Sequence, residues 1–458
     1  MKTLFILVIL VAFLFLYSFF TPTNKPRDPV YIKASKQRTG NAKAGYQYLI
    51  EGDYIKSGIP FALFKMGVHE KVNDLGRTGI NQNIPYAFNA VTAPNGQLVV
   101  SPNCLTCHAQ KFEGKLVIGM GNSLSDYTSN HASTALFARQ FLTSGAVKEE
   151  VYDAAKNFLR SVITVYPGLV AKSRGVNIAD RLAALLASHR DPKTFRWCDS
   201  ALMAVPDEVI PSDVPAWWLL KKKHAMFYTG FGRGDFGRFL MAANLLTVTD
   251  TAEAAEVDSH FNDVLAYIYS IKAPKYPKPI NKKLADDGQL LFETYCSGCH
   301  GTYGEGGSYP NLLIPEDVIQ TDSALYSANY SNPQFVNWFN QSWFTTGDHP
   351  AKLVPFRGYI APPLDGVWAT APYLHNGSVP TLEALLDSRL RPTYWSRDFK
   401  NPQYDVDDPG WKYTTESTAT NKDTYNTTLK GYSNKGHYFG DKLTNKERTA
   451  VIEYLKTL

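Results

Sequence analysis

Cys104-Leu105-Thr106-Cys107-His108 and Cys296-Ser297-Gly298-Cys299-His300 are two copies of one pattern, C-x-x-C-H. Residues three apart share one face of a helical turn. The two thiols of each copy can therefore reach the two vinyl groups on one edge of a porphyrin, and the histidine that follows sits under the iron as its proximal ligand. Four of the five cysteines are used this way. A zinc site built from Cys104, Cys107, Cys296 and Cys299 would need tetrahedral geometry and would leave both adjacent histidines unexplained. The pattern predicts two covalent c-type haems, with His108 and His300 as proximal ligands. Cys198 is left without a disulfide partner and is expected to be a buried structural thiol.

Working outward from the second motif, Leu284, Leu291, Phe292 and Tyr295 form an apolar helix face leading into Cys296. Near the C-terminus Thr444 and Glu447 make a capping box, followed by Val451, Ile452, Leu455 and Leu458. Two such helices around one haem outline a small cytochrome c. The stretch between, Gly301 to Gly440, is rich in Gly, Pro, Asn, Tyr and Trp and shows few strand alternations. Around the first motif, apolar residues at three-to-four spacing predict helices over 134–142, 147–162, 178–188 and 261–271. The expected fold is mainly α with long loops: two cytochrome c-like haem domains in tandem after an N-terminal membrane segment. Residues 1–20 form that segment, 21–28 a polar linker, 29–273 the first haem domain, 274–280 a proline-rich connector and 281–458 the second.

The chain has 458 residues, room for two or three domains. A net charge of +5 is too mild to argue for nucleic acid. It permits an acidic protein partner. Lys2 precedes an apolar run from Leu4 to Leu16, which reads as a signal peptide or an uncleaved anchor. The run contains no clear A-x-A cleavage site, which favours the anchor, whereas Lys25, Arg27, Lys33 and Lys36 after it argue weakly the other way. Either reading exports the body, which agrees with haem attachment outside the cytoplasm. The expected location is the periplasm, with attachment to the inner membrane through this segment.

The ligand opposite each proximal histidine decides the role. A second strong ligand favours electron transfer, and an open face lets oxygen or peroxide bind. All six methionines lie at or before Met241, so the second body has none for its iron. Its candidates are His349, His375 and His437, with Tyr303, Tyr359 and Tyr373 behind them. His437 is favoured: it lies in Asn434-Lys435-Gly436-His437-Tyr438-Phe439-Gly440, where flanking glycines let the backbone approach a porphyrin. For the first haem, Met120, His131, His224 and Met226 are candidates, against an open face. Trp217 and Trp218, followed by three lysines, are either buried aromatics at a helix start or an aromatic wall over the first haem.

The stretch Ala361-Pro362-Pro363-Leu364-Asp365-Gly366-Val367-Trp368-Ala369-Thr370-Ala371-Pro372-Tyr373-Leu374-His375-Asn376-Gly377 resembles the APYxHNG/HDG segment of the bacterial di-haem cytochrome c peroxidase and MauG superfamily. It looks most like the branch that includes the rubber oxygenases. Arg391-Pro392, Tyr404-Asp405 and Gly436-His437-Tyr438-Phe439-Gly440 are similar to that branch too. The resemblance implies that His108 holds a reactive iron and His300 a six-coordinate relay iron. The peroxidase methionine is missing around Arg389. In the rubber-oxygenase branch a histidine near the C-terminus does that job, which supports His437 and leaves His375 to brace the site or touch a haem propionate. The family often holds calcium between its domains.

The expected function is therefore an exported di-haem oxidoreductase, peroxidase-like. It binds peroxide or oxygen at the first haem and exchanges electrons with a redox partner protein. The alternatives are an oxygenase acting on an apolar substrate and a non-enzymatic di-haem electron carrier. The sequence names no catalytic acid or base; Glu113 and Asp126 lie near the first motif but read as surface carboxylates.

Overall fold

A computed structural model describes residues 27–68, 73–331 and 333–458. The expected signal or anchor over residues 1–20 lies outside the described residues, and among those described no helix is long and apolar enough to cross a membrane.

The apolar periodicities become helices near their expected places, at Ala132–Leu142, Glu149–Val165, Ala179–Ser188 and Thr251–Ser270. The last begins well before Phe261. Asp250 caps it there, its carboxylate accepting from the Ala252 and Glu253 N–H groups.

The mainly α expectation is corrected by the strands. The chain is about 39% helix and 13% strand, a mixture rather than a helical tandem. Each strand spans only two to five residues, too few for period-2 alternation to register. Ala109–Phe112 and Lys115–Ile118 form a hairpin directly after the first haem motif. Glu113 and Gly114 turn it with φ of 47° and 75°, the positive-φ pair that matches strand twist. Phe88–Thr92, Leu98–Pro102 and Ile59–Pro60 make a second small sheet beside it.

Strands on either side of residues 274–280 pair with each other. Val30–Tyr31 and Gly358–Ile360 flank Leu312–Pro315, and Gly232–Gly234 pairs with Ala351–Leu353. The helix Pro333–Asn340 buries Val336, Trp338 and Phe339 in one core with Phe195, Phe231 and Phe236. A second core joins Phe112, Met120 and Trp218 to Phe292, Trp368 and Val451. Helices and short strands thus interlock around the two haem motifs.

Lys282–Tyr295, which leads into Cys296, crosses the final helix Asn445–Leu455. Asn281 caps the first, and the Thr444/Glu447 capping box caps the second. A Cβ on Gly288 would stand 1.9 Å from the Ala450 carbonyl oxygen, so the backbones meet without room for a side chain. Gly288→Val is expected to lose about 1–3 kcal/mol of stability by overpacking, read by chemical denaturation.

Candidate haem sites

The second motif is the more completely formed. The helix ending at Tyr295 delivers Cys296, one further turn over Ser297–His300 places Cys299 and His300, and Gly301 at φ 82° ends it. The His300 Nδ1 is 2.8 Å from the Pro362 carbonyl oxygen. Donating there fixes the tautomer and leaves Nε2 free for a metal.

The ring facing His300 is that of His437. Their centroids lie 6.1 Å apart, with the planes at 62°. Two metal–nitrogen bonds of about 2 Å, plus half of each ring, put the centroids of two axial imidazoles about 6 Å apart. The spacing therefore admits one iron. His437 sits at φ 50°, a strained value for a non-glycine residue. The surroundings hold it there. Its N–H donates to the Ile319 carbonyl, and a Cβ on neighbouring Gly436 would lie 2.2 Å from the Thr321 nitrogen. The Arg391 guanidinium donates to five carbonyls, those of Ala384, Leu385, Asn434, Gly436 and His437. It ties the histidine loop to the short helix Leu382–Leu386.

Electrostatics suit ligation. Burial pushes His437 down to about 3, with the neighbouring His300 and Arg391 charges adding to it. Burial also lowers His300, against its bond to Pro362. Both rings are neutral at neutral pH, the ligating form. His437 Nδ1 and His108 Nδ1 are buried with no protein partner among the described residues. The bond by which Pro362 orients the His300 ring thus has no counterpart at either of these rings.

A cavity of about 250 Å³ opens beside His300 and His437. Phe292, Leu386, Val451 and Leu455 make one part of its wall, beside Cys296 and Cys299. His375 lies in another part, 5% exposed. Its ring stacks on Tyr359 at 4.0 Å, and its Nε2 is 3.0 Å from the Tyr359 hydroxyl. His375 is thus engaged with Tyr359, and it is His437 that faces His300. His349 stands at the surface, 4.0 Å from Asp235.

At the first motif, Cys104 opens the turn Leu105–His108, and the hairpin from Ala109 follows at once. Cys107 Sγ lies 3.4 Å from both the Tyr127 hydroxyl and Asn177 Nδ2. Burial alone takes His108 to about 3. Trp217 stacks on its ring at 4.4 Å and 18°, so it covers a face of the imidazole. Trp218 instead donates its indole N–H to the Asp365 carbonyl at 2.8 Å. The first motif's candidate sixth ligands are placed elsewhere. Met120 lines the cavity shared with His300, its sulfur 3.8 Å from Gln110 Nε2. His131 packs edge-on to Tyr166, and His224 Nδ1 meets the Ile32 carbonyl. Glu113 occupies the hairpin turn, and Asp126 binds Thr128 and Arg174. Cys198 is only half-buried. Among the described residues no group of three or more His, Cys, Asp or Glu side chains gathers to hold a metal ion.

Sequence reasoning missed the clamp made by Arg391, since a single charged residue carries no spacing signal. The one local hint was an arginine directly before Pro392.

Residues 358–396 match the family described as RoxA-like, cytochrome c-like. The matched segment holds Pro362 and His375, which line the His300 cavity, and Arg391, which ties down the His437 loop, rather than either haem motif. The chain is also similar to two proteins of Sinorhizobium fredii (strain NBRC 101917 / NGR234). Uncharacterized protein y4iJ is 45% identical over 253 residues, covering 41% of this chain and 41% of the relative. Uncharacterized protein y4iM is 27% identical over 294 residues, covering 55% of this chain and 66% of the relative. The chain therefore spans about two fifths of one curated relative and just under two thirds of the other. The motif and the matched segment together define a haem-binding, cytochrome c-like protein whose cofactor is a c-type haem with its iron.

Proposed function

We propose that the chain is a di-haem c-type oxidoreductase working in the periplasm, with a reactive iron at His108 and an electron relay between His300 and His437. A c-type haem supplies a one-electron iron couple, and an iron with an open face binds peroxide or oxygen. The protein's own residues divide the labour. His300 and His437 together would hold the iron of the second haem, and two imidazole ligands suit electron storage and transfer. At His108, Met120, His131 and His224 are all turned to other partners, and Trp217 packs on the ring. The observation that carries the reading is this asymmetry: an imidazole faces His300, whereas Met120, His131 and His224 have other partners and Met226 packs against the core that holds Trp217.

The reading places peroxide reduction, or oxidation of a partner protein, ahead of oxygenase chemistry on an apolar substrate. A small oxidant and a redox partner protein are the implied reactants. Mass spectrometry of the exported protein is expected to find one haem on each cysteine pair. The oxidised protein is expected to show one high-spin and one low-spin haem by electron paramagnetic resonance, and the reduced protein to bind one carbon monoxide per chain. Two low-spin haems that bind no carbon monoxide would make it an electron carrier instead.

A further inference from the structure

The cavity beside His300 is amphipathic. Around the thioether cysteines it is walled by the apolar Phe292, Val451 and Leu455. Among further apolar residues, its lining also includes Lys223 and a hydrogen-bonded set of Tyr228, Asp213, His375 and Tyr359. Lys223 Nζ has one long bond, 3.4 Å to the Phe227 carbonyl, next to Tyr228. The Tyr228 hydroxyl donates to Asp213 Oδ2 at 2.7 Å. The Asp213 N–H donates to the His375 carbonyl at 2.7 Å. His375 in turn contacts Tyr359, whose hydroxyl donates to the Asp322 carbonyl at 2.6 Å.

Lys223 is the anomaly in this group. It is 7% exposed and forms no ion pair among the described residues. Burial brings it down to about 8. An ammonium buried without a counter-charge is costly, and buried charges are ordinarily paired. Burial also raises Asp213 to about 7, and its carboxyl is engaged by Tyr228 rather than by Lys223.

A haem has the same two-ended character. Its vinyl edge bonds to the cysteines, and the opposite edge carries two propionate carboxylates. With the vinyl edge fixed at Cys296 and Cys299, the carboxylate edge needs a cation and donors across the cavity. We propose that this polar wall receives the propionates of the haem attached at Cys296 and Cys299, with Lys223 as their buried counter-cation and Asp213, Tyr228 and His375 as the surrounding hydrogen-bonding frame. The assignment rests on the haem reading of the second motif and adds the residues that meet the cofactor's charged end.

The test uses the full holoprotein. In Lys223→Met, loss of a positive charge beside the cofactor is expected to favour the oxidised iron. The one-electron equilibrium of the low-spin haem should shift about tenfold, a fall of about 59 mV in its potential, with His300/His437 ligation and the low-spin spectrum retained. Lys223→Arg is expected to recover most of the shift. An unchanged potential in Lys223→Met carrying its haem would overturn the proposal. The unmodified holoprotein gives a second readout that needs no variant. With a water-soluble carbodiimide and a small amine, the propionates of this haem should resist amide formation in the native protein and react after unfolding. Labelling of both in the native protein would overturn the assignment, and this readout decides alone if Lys223→Met fails to accumulate. If the peptide containing Cys296 and Cys299 carries no haem mass, it is the underlying haem reading that fails.

Discussion

His437→Ala is expected to convert the haem at Cys296 and Cys299 from low spin to high spin completely. Its imidazole is the ring that faces His300 at axial-ligand spacing. It is half-buried and neutral, and its backbone is fixed by bonds to Ile319 and Arg391. No methionine lies in the second body to replace it, and His375 is held against Tyr359. Carbon monoxide binding at the reduced C-terminal haem should rise from none to one per haem. Added imidazole should restore the low-spin spectrum by filling the space left by the side chain. His375→Ala is expected to leave this iron low-spin, and the reverse pattern would exchange the two roles.

Arg391→Met is expected to have the next largest effect. The guanidinium satisfies five carbonyls from two segments. A charged donor contributes more per hydrogen bond than a neutral one, and its removal leaves acceptors unpaired, so about 2–4 kcal/mol of stability should be lost. The loop carrying His437 would then be held at its positive φ by packing alone, and part of the C-terminal haem should become high-spin in the folded variant. Arg391→Lys should rescue poorly, since one ammonium cannot reproduce the planar fork that reaches both segments. Denaturation curves read the first effect and optical spectra of the folded protein the second.

The parts of this molecule that repeat or keep a period could be read from the sequence. The paired C-x-x-C-H motifs, the apolar face ending at Tyr295 and the Thr444/Glu447 capping box all depend on spacing, and spacing survives in one dimension. The lack of methionine in the second body left His349, His375 and His437, and the flanking glycines and the rubber-oxygenase resemblance favoured His437. The strands escaped because segments such as Gly358–Ile360 and Ala351–Leu353 are too short to alternate, and their partners lie far away in the chain. The mainly α expectation failed for this reason. The Asn95-Gly96 and Glu113-Gly114 turns were strand signals open to a local reading. No sequence pattern explains a glycine inside Lys282–Tyr295; the close approach of Gly288 to Ala450 does. Arg391 and Lys223 resemble surface charges in the sequence, and only the fold shows one clamping carbonyls and the other buried in a cavity wall.

Near-infrared magnetic circular dichroism of the oxidised holoprotein tests the central claim most directly, because its low-spin charge-transfer band separates bis-histidine from histidine–methionine ligation. The account predicts a bis-histidine band from the haem attached at Cys296 and Cys299. A histidine–methionine band, or a wholly high-spin spectrum from that haem, would contradict it.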